Sequence, residues 1–166
     1  MYKLVISSIA AFMLIGCTSE KSITYKSNMF QSVSQDEAVL VQKGADKNFC
    51  GRCGMDLAKY YKTSHSAIEG KTVYQYCSIH CLQDHLNDGV VLKNPQVVDI
   101  ESLKFIDASK AYYVVGSEKS ATMSMISKYA FSNKEDADKF KAEFGGEVTD
   151  FYKTLEIAKK DFKFKR

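Results

Sequence analysis

Four of the five cysteines fall in two close pairs: Cys50-Gly-Arg-Cys53, then 23 residues, then Cys77-Ser-Ile-His-Cys81. Cys-x-x-Cys on a turn containing Gly51 and Gly54 lets both sulfurs face one side, with backbone amides directed at them. Cys77 belongs to a strand end and Cys81 to a first helical turn, where the helix dipole favours a thiolate. Three chemistries use such a set. One is a tetrahedral structural zinc site, which four thiolates satisfy completely. The second is disulfide pairing or an extracytoplasmic thiol-disulfide oxidoreductase, although the βαβ pattern around a thioredoxin motif is missing. The third is a soft, exchangeable Cu(I) site, to which thioethers contribute beside thiolates. Met55 follows Cys53 by two positions, and Met123 and Met125 lie in a later loop. The candidate metal ligands are therefore Cys50, Cys53, Met55, Cys77, Cys81, Met123 and Met125. Neither pair continues as Cys-x-x-Cys-His, so c-type haem is excluded. His65, His80 and His85 read as packing groups before ligands, and the tyrosines at 60, 61, 74, 76, 112 and 113 as hairpin and core packing.

Local patterns indicate what holds these residues. AVLVQKG at 38–44 reads as a short strand leading into the cysteine turn. Residues 64–68 and 72–77 alternate as a hairpin around Glu69-Gly70-Lys71. A helix starts after Ser78 as N-cap, carries Cys81, Leu82, His85 and Leu86 on one face, and stops before Gly89. VVDI at 97–100 is the next strand. The second half repeats the order: AYYVVG at 111–116, SKYAFS at 127–132, a helix from Asn133 to the Gly145-Gly146 stop, and EVTDF at 147–151. Laying one half on the other puts Tyr76-Cys77-Ser78 over Ala130-Phe131-Ser132. The expected fold is α+β, with two tandem ββαβ units, the first carrying a treble-clef-like cysteine constellation. The first unit covers 30–105 and the second 106–166. A last helix runs from Thr154 to Asp161, and its basic end, Lys159 to Arg166, reads as a solvated terminus.

The 166 residues are 45% hydrophobic and 26% charged, with a formal net charge of +3. A chain of this size and balance folds around a core of one or two small units and is not a disordered polymer. Basic clusters are short and no nucleic-acid motif occurs, so nucleic acid is not an expected partner. No Ser/His/Asp arrangement, carboxylate pair or phosphate loop stands out, and the chain is expected not to be an enzyme.

The N-terminus reads as an address. Lys3 precedes Leu4 to Ile15, 12 residues without a charge. This is too short for a spanning helix, which needs about 20 residues. Leu14-Ile15-Gly16-Cys17 resembles the lipobox of bacterial lipoproteins, in which the cysteine is diacylated before cleavage. More than one acyl chain makes membrane anchoring stable. Residues 1–16 are thus expected to be a lipoprotein signal peptide, Cys17 the lipidated residue, and 17–29 a polar tether. Thr18 in place of Asp resembles the outer-membrane sorting signal, so the chain is expected to be an exported lipoprotein, periplasm-facing and outer-membrane anchored.

The cysteine spacing resembles that of the TRASH and YHS metal-sensing and trafficking modules. Taken together, the lipobox, the tether, CGRCGM at 50–55, AKYYKTSHSAI at 58–68, YCSIHC at 76–81 and ATMSMISKYAFSNKEDADKF at 121–140 resemble the NosL family. These are copper-binding accessory lipoproteins of nitrous oxide reductase maturation. The resemblance covers residues 30–155 and implies two linked ββαβ units. It also implies a metallochaperone delivering Cu(I) to the copper-sulfide cluster of nitrous oxide reductase, with help from an ABC-type assembly system. Carried over by position, Cys53 and Met55 match the CGM element, and Met123 matches the methionine of the second unit. The pair Cys77 and Cys81 departs from many relatives, enriching the site in sulfur and keeping zinc as an alternative occupant.

Overall fold

The computed structural model describes residues 29–161. The expected signal peptide, Cys17, all of the tether before Met29 and residues 162–166 lie outside the described residues.

The hairpin expected around Gly70 is present, although burial along its strands is graded from the buried end to the turn and does not alternate. β1 (His65–Glu69) and β2 (Thr72–Tyr76) pair antiparallel, with His65 opposite Tyr76 and Glu69 opposite Thr72. Their two-residue turn needs a positive φ at its first position, which Gly70 supplies at 57°. After Cys77 and Ser78 comes α1 (Ile79–Leu86), which buries Ile79, Cys81, Leu82 and His85. Ser78 occupies the N-cap position, but its side chain makes no bond to the helix amides. β3 (Lys93–Val98) returns antiparallel to β1 with a register shift between Ser66 and Ile68. β4 (Phe105–Asp107), a three-residue strand that alternation does not reveal, pairs with β3. The sheet order is β2-β1-β3-β4.

The second half is β5 (Tyr112–Val115), β6 (Lys128–Phe131), α2 (Lys134–Phe144), β7 (Glu147–Thr149) and α3 (Phe151–Asp161). Asn133 caps α2 by accepting from the Asp136 amide at 2.9 Å. The strands run in the order β6-β5-β7. Both halves therefore place their first strand centrally, paired antiparallel to the strand before the helix and to the strand after it. The ββαβ repeat expected from sequence is present in topology, but the residue alignment shifts by one. Cys77 and Ser78 separate β2 from α1, just as Ser132 and Asn133 separate β6 from α2. By position Tyr76, not Cys77, matches Phe131, and Ser132 stands where the first unit has Cys77.

A second correction concerns residues 38–44, which form no strand. The side chain of Gln75 intervenes: its Oε1 accepts from the Val41 amide at 2.9 Å and its Nε2 donates to the Val39 carbonyl at 3.3 Å. The Gln75 amide in turn donates to Gln42 Oε1 at 3.0 Å. Side-chain amides thus replace the main-chain ladder that a strand here would make with β2. At the C-terminus, α3 begins at Phe151, earlier than the expected Thr154.

The second sheet is buried on both faces. Tyr113, Val115 and Ala130 enter a core cluster with Cys77, Cys81, Leu82 and Phe151, while Val114, Tyr129 and Phe131 face α2 through Ala137 and Phe140. Period-two alternation along β5 sends successive side chains to opposite cores. The half that lacks cysteines thereby forms a wall of the core that contains them. Phe30 joins the α2 side, edge-on to Tyr129 with ring centroids 5.2 Å apart. No described helix is long and apolar enough to cross a membrane.

Candidate metal centre

The first cysteine pair sits on a knuckle closed by an isolated bridge between Phe49 and Asp56. Cys50 donates its amide to the Met55 carbonyl at 2.8 Å, and Gly54 to the Cys50 carbonyl at 2.9 Å. Gly54 has φ 73°, a conformation that favours glycine and lets the chain reverse immediately after Cys53. The knuckle leans on the hairpin: the Gly51 amide reaches the Gln75 carbonyl at 3.3 Å, and a Cβ at Gly51 would meet Tyr74 Cδ1 at 3.4 Å. Cys77 arrives at the end of β2 and Cys81 one turn later in α1.

All four cysteine Sγ atoms lie within 4.8 Å of one another. Cys77 is the hub, 3.5 Å from Cys53, 3.7 Å from Cys81, and 3.9 Å from the Met55 thioether sulfur. A metal with bonds of about 2.3 Å to sulfur in tetrahedral geometry would space its ligands about 3.8 Å apart. Cys50, Cys77 and Cys81 are buried and free of disulfide bonds, while Cys53 is half-buried and gives the cluster its solvent side.

Without a cation, four thiols this close hold their protons unevenly. Cys50 is pushed far below the ordinary thiol range because Cys53, Cys77 and Cys81 donate S–H to it, with the Arg52 amide adding a further donor. Cys77 and Cys81 are pushed far up, first by acting as donors to Cys50 and Cys53 and then by burial. Cys53 is raised by Cys50, but donation from Cys77 and Cys81 outweighs this and leaves it lowered. A thiophilic cation removes the conflict by taking the place of the protons.

The methionines part company. Met55 touches the quartet. Met123, with φ 69°, packs half-buried against the core cluster that includes Cys77 and Cys81. Met125 is 98% exposed and is not brought to the quartet. The loop bearing both is tied down around them: Gln31 Nε2 donates to the Ser120 and Ala121 carbonyls at 2.8 and 3.0 Å. The Thr63 hydroxyl donates to the Cys77 carbonyl at 2.8 Å and lies 2.9 Å from that of Thr122. Ser124 donates to Asp161 at 3.1 Å.

The histidines serve packing. His65 is fully buried between the Thr63 carbonyl at Nδ1 (3.0 Å) and the Tyr113 hydroxyl at Nε2 (3.1 Å). Burial pushes its pKa down to about 3. His85 meets the Tyr76 hydroxyl at 2.8 Å. His80 meets Asp161 at 2.9 Å, and Asp161 also accepts from buried Lys128 at 2.6 Å. Burial, followed by the charge on Lys128, pushes His80 down to about 4.

Sequence reasoning passed over Arg52, which lies inside the first cysteine pair. Its Nε and Nη2 reach Asp84 Oδ2 at 3.0 and 2.6 Å, and its Nη1 reaches Asp88 at 2.8 Å. Asp84 follows Cys81 by three positions, so an Asp one helical turn beyond a ligand cysteine, opposite an Arg inside the other pair, was the available signal.

A NosL family model matches residues 43–157. The crystal structure of the copper chaperone NosL from Shewanella denitrificans superposes with a TM-score of 0.53 at 25% identity, covering 67% of this chain and 93% of that one. No curated protein matches the chain.

Proposed function

The chain belongs to the NosL family, and from that premise we propose that it is a copper-binding metallochaperone that carries Cu(I) as cargo on the cysteine quartet. The observation that carries this reading is the convergence of four cysteine sulfurs within 4.8 Å, with the Met55 thioether beside the hub cysteine. Thiolates and thioethers select Cu(I) over harder ions. Cu(I) is satisfied by two or three sulfurs, so a surplus of donors lets a recipient's ligand add before an old one leaves. In this reading half-buried Cys53 is the sulfur that meets the recipient. Cys50, Cys77 and Cys81 hold the ion from within, Met55 adds an uncharged donor, and Met123, packed against the same core cluster, is the methionine of the second unit that the family resemblance adds to the shell. No step makes or breaks a covalent bond of a substrate, which fits a carrier and not an enzyme.

The finer proposals are those the family resemblance implies. The cargo goes to the copper-sulfide cluster of nitrous oxide reductase with the help of an ABC-type assembly system. Cys17 anchors the exported chain by lipid in the periplasm, at the outer membrane. A second reading is favoured by one observation: separations of 3.5 and 3.7 Å between cysteine sulfurs are close to the tetrahedral spacing of a structural zinc site.

The deciding experiment is anaerobic competition of the reduced mature chain, in detergent, with a chromophoric Cu(I) chelator, alongside Cys53→Ser and a zinc competition. One Cu(I) per chain, weakened in the variant and not displaced by zinc, is expected. Tightly held zinc with no competitive copper uptake would overturn the copper reading.

A further inference from the structure

The quartet is assembled from two bodies that are distant in sequence, the knuckle carrying Cys50 and Cys53 and the helix α1 carrying Cys81. Between them runs the Arg52 guanidinium, with three nitrogens on two carboxylates of α1 and its C-terminal end at 2.6–3.0 Å. The Arg52, Asp84 and Asp88 side chains are 20%, 13% and 28% exposed, so the cluster is mostly withdrawn from water but still reachable by it. Asp84 and Asp88 stand where the helix dipole disfavours negative charge, and the guanidinium neutralises them there. The planar fork of an arginine also fixes direction as well as distance.

We propose that Arg52 is a positioning residue that holds the two halves of the metal site closed, and that parting of its bridges to Asp84 and Asp88 is the opening through which metal is handed on. The inference rests on the reading of the quartet as a metal carrier, whichever ion it holds. Swinging the knuckle off α1 also stretches the single long bond from the Gly51 amide to the Gln75 carbonyl, 3.3 Å, and separates Cys50 and Cys53 from Cys77 and Cys81 while leaving both pairs folded, because the knuckle keeps its own bridge between Phe49 and Asp56. The metal then rests on two sulfurs and presents an open coordination position.

The test is the rate at which the loaded mature chain gives up metal to a chromophoric chelator, measured by stopped flow with Cu(I) and, separately, with Zn(II). Arg52→Gln, Arg52→Lys and Asp88→Asn are compared with the unaltered chain. Arg52→Gln is expected to release metal about tenfold faster, as loss of a partly buried ion pair allows. Asp88→Asn should be faster by about threefold, and Arg52→Lys should lie between the unaltered chain and Arg52→Gln because it keeps charge without the fork. A merely structural residue would lower thermal stability without this graded order in release. Asp88→Asn removes only the charge at the outermost contact, so it decides the matter if Arg52→Gln does not fold. Release rates equal to that of the unaltered chain in the folded variants would overturn the proposal. If the chain takes zinc and no copper, the copper reading fails, while the zinc arm still reports on the clamp.

Discussion

Acid should unfold this protein partly through one histidine, and the size of the effect follows from where His65 lies. Its ring is neutral in the fold: Nδ1–H donates to the Thr63 carbonyl and Nε2 accepts from the Tyr113 hydroxyl. Protonation puts a charge in a fully buried site, which is why the pKa falls from 6.5 to about 3. Below pH 6.5 the unfolded chain therefore binds a proton that the folded chain refuses. The stability this group contributes is complete above pH 6.5 and is lost as pH falls toward 3. The slope rises from half its limit at pH 6.5 toward about 1.4 kcal/mol per pH unit, which sums to about 2.3 kcal/mol between pH 6.5 and 4.5. The assay is urea unfolding of the metal-free, reduced chain at a series of pH values, comparing the unaltered protein with His65→Gln. The variant loses stability at every pH through its altered packing, but its dependence on pH should be flatter by about 2.3 kcal/mol over that interval. His80 and the carboxylates titrate in both proteins and cancel in the difference. Equal pH slopes for the two proteins would refute the reasoning, because no proton linkage would then reside at His65.

Met55→Leu should weaken Cu(I) binding several-fold in chelator competition, whereas Met125→Ala should leave it within about twofold, since Met125 is 98% exposed. Lys128→Met removes the cationic partner of half-buried Asp161, leaving it His80 and Ser124, and should lower stability by about 2 kcal/mol, read as a fall in urea midpoint. Gly146→Ala should destabilise by more than about 2 kcal/mol, because its Cβ would meet the Val115 carbonyl oxygen at 2.8 Å at φ 92°. Gly145→Ala meets open space, but φ 72° with ψ −166° is a conformation essentially reserved for glycine, and it should cost about 1–3 kcal/mol.

What could be read from sequence was local. The cysteine spacings, the hairpin around Gly70 and the Gly145-Gly146 stop of α2 each depend on neighbours a few positions away, and each appears in the structure. The misses depend on distant partners. The segment at 38–44 has strand-like composition, yet Gln75, more than thirty positions later, meets its backbone with a side chain. Arg52 looks like a solvated residue in a turn until Asp84 and Asp88 are brought beside it. Met123 and Met125 are indistinguishable by type and spacing, and only the tethering of their loop by Gln31, Thr63 and Asp161 turns one inward and leaves the other in water. The repeat slips by one residue because Tyr76 and Phe131, the aromatic residues that end the strand before each helix, are counterparts in space, whereas the sequence pattern sets Cys77 opposite Phe131.

The glutamine pairing along β2 has a consequence for how this molecule meets others. A sheet margin with free amides and carbonyls invites another chain to add a strand. Here the outer side of β2 is occupied by the side chains of Gln42 and Gln75 and by the Gly51 amide. The outer side of β6 is met by the Ile100 amide at 3.1 Å, and β4 and β7 are only three residues long. Among the described residues no long open margin is left for main-chain augmentation or for stacking copies into a continuous sheet. Under the carrier role proposed above, a recipient would be recognised through side chains, those surrounding half-buried Cys53 foremost.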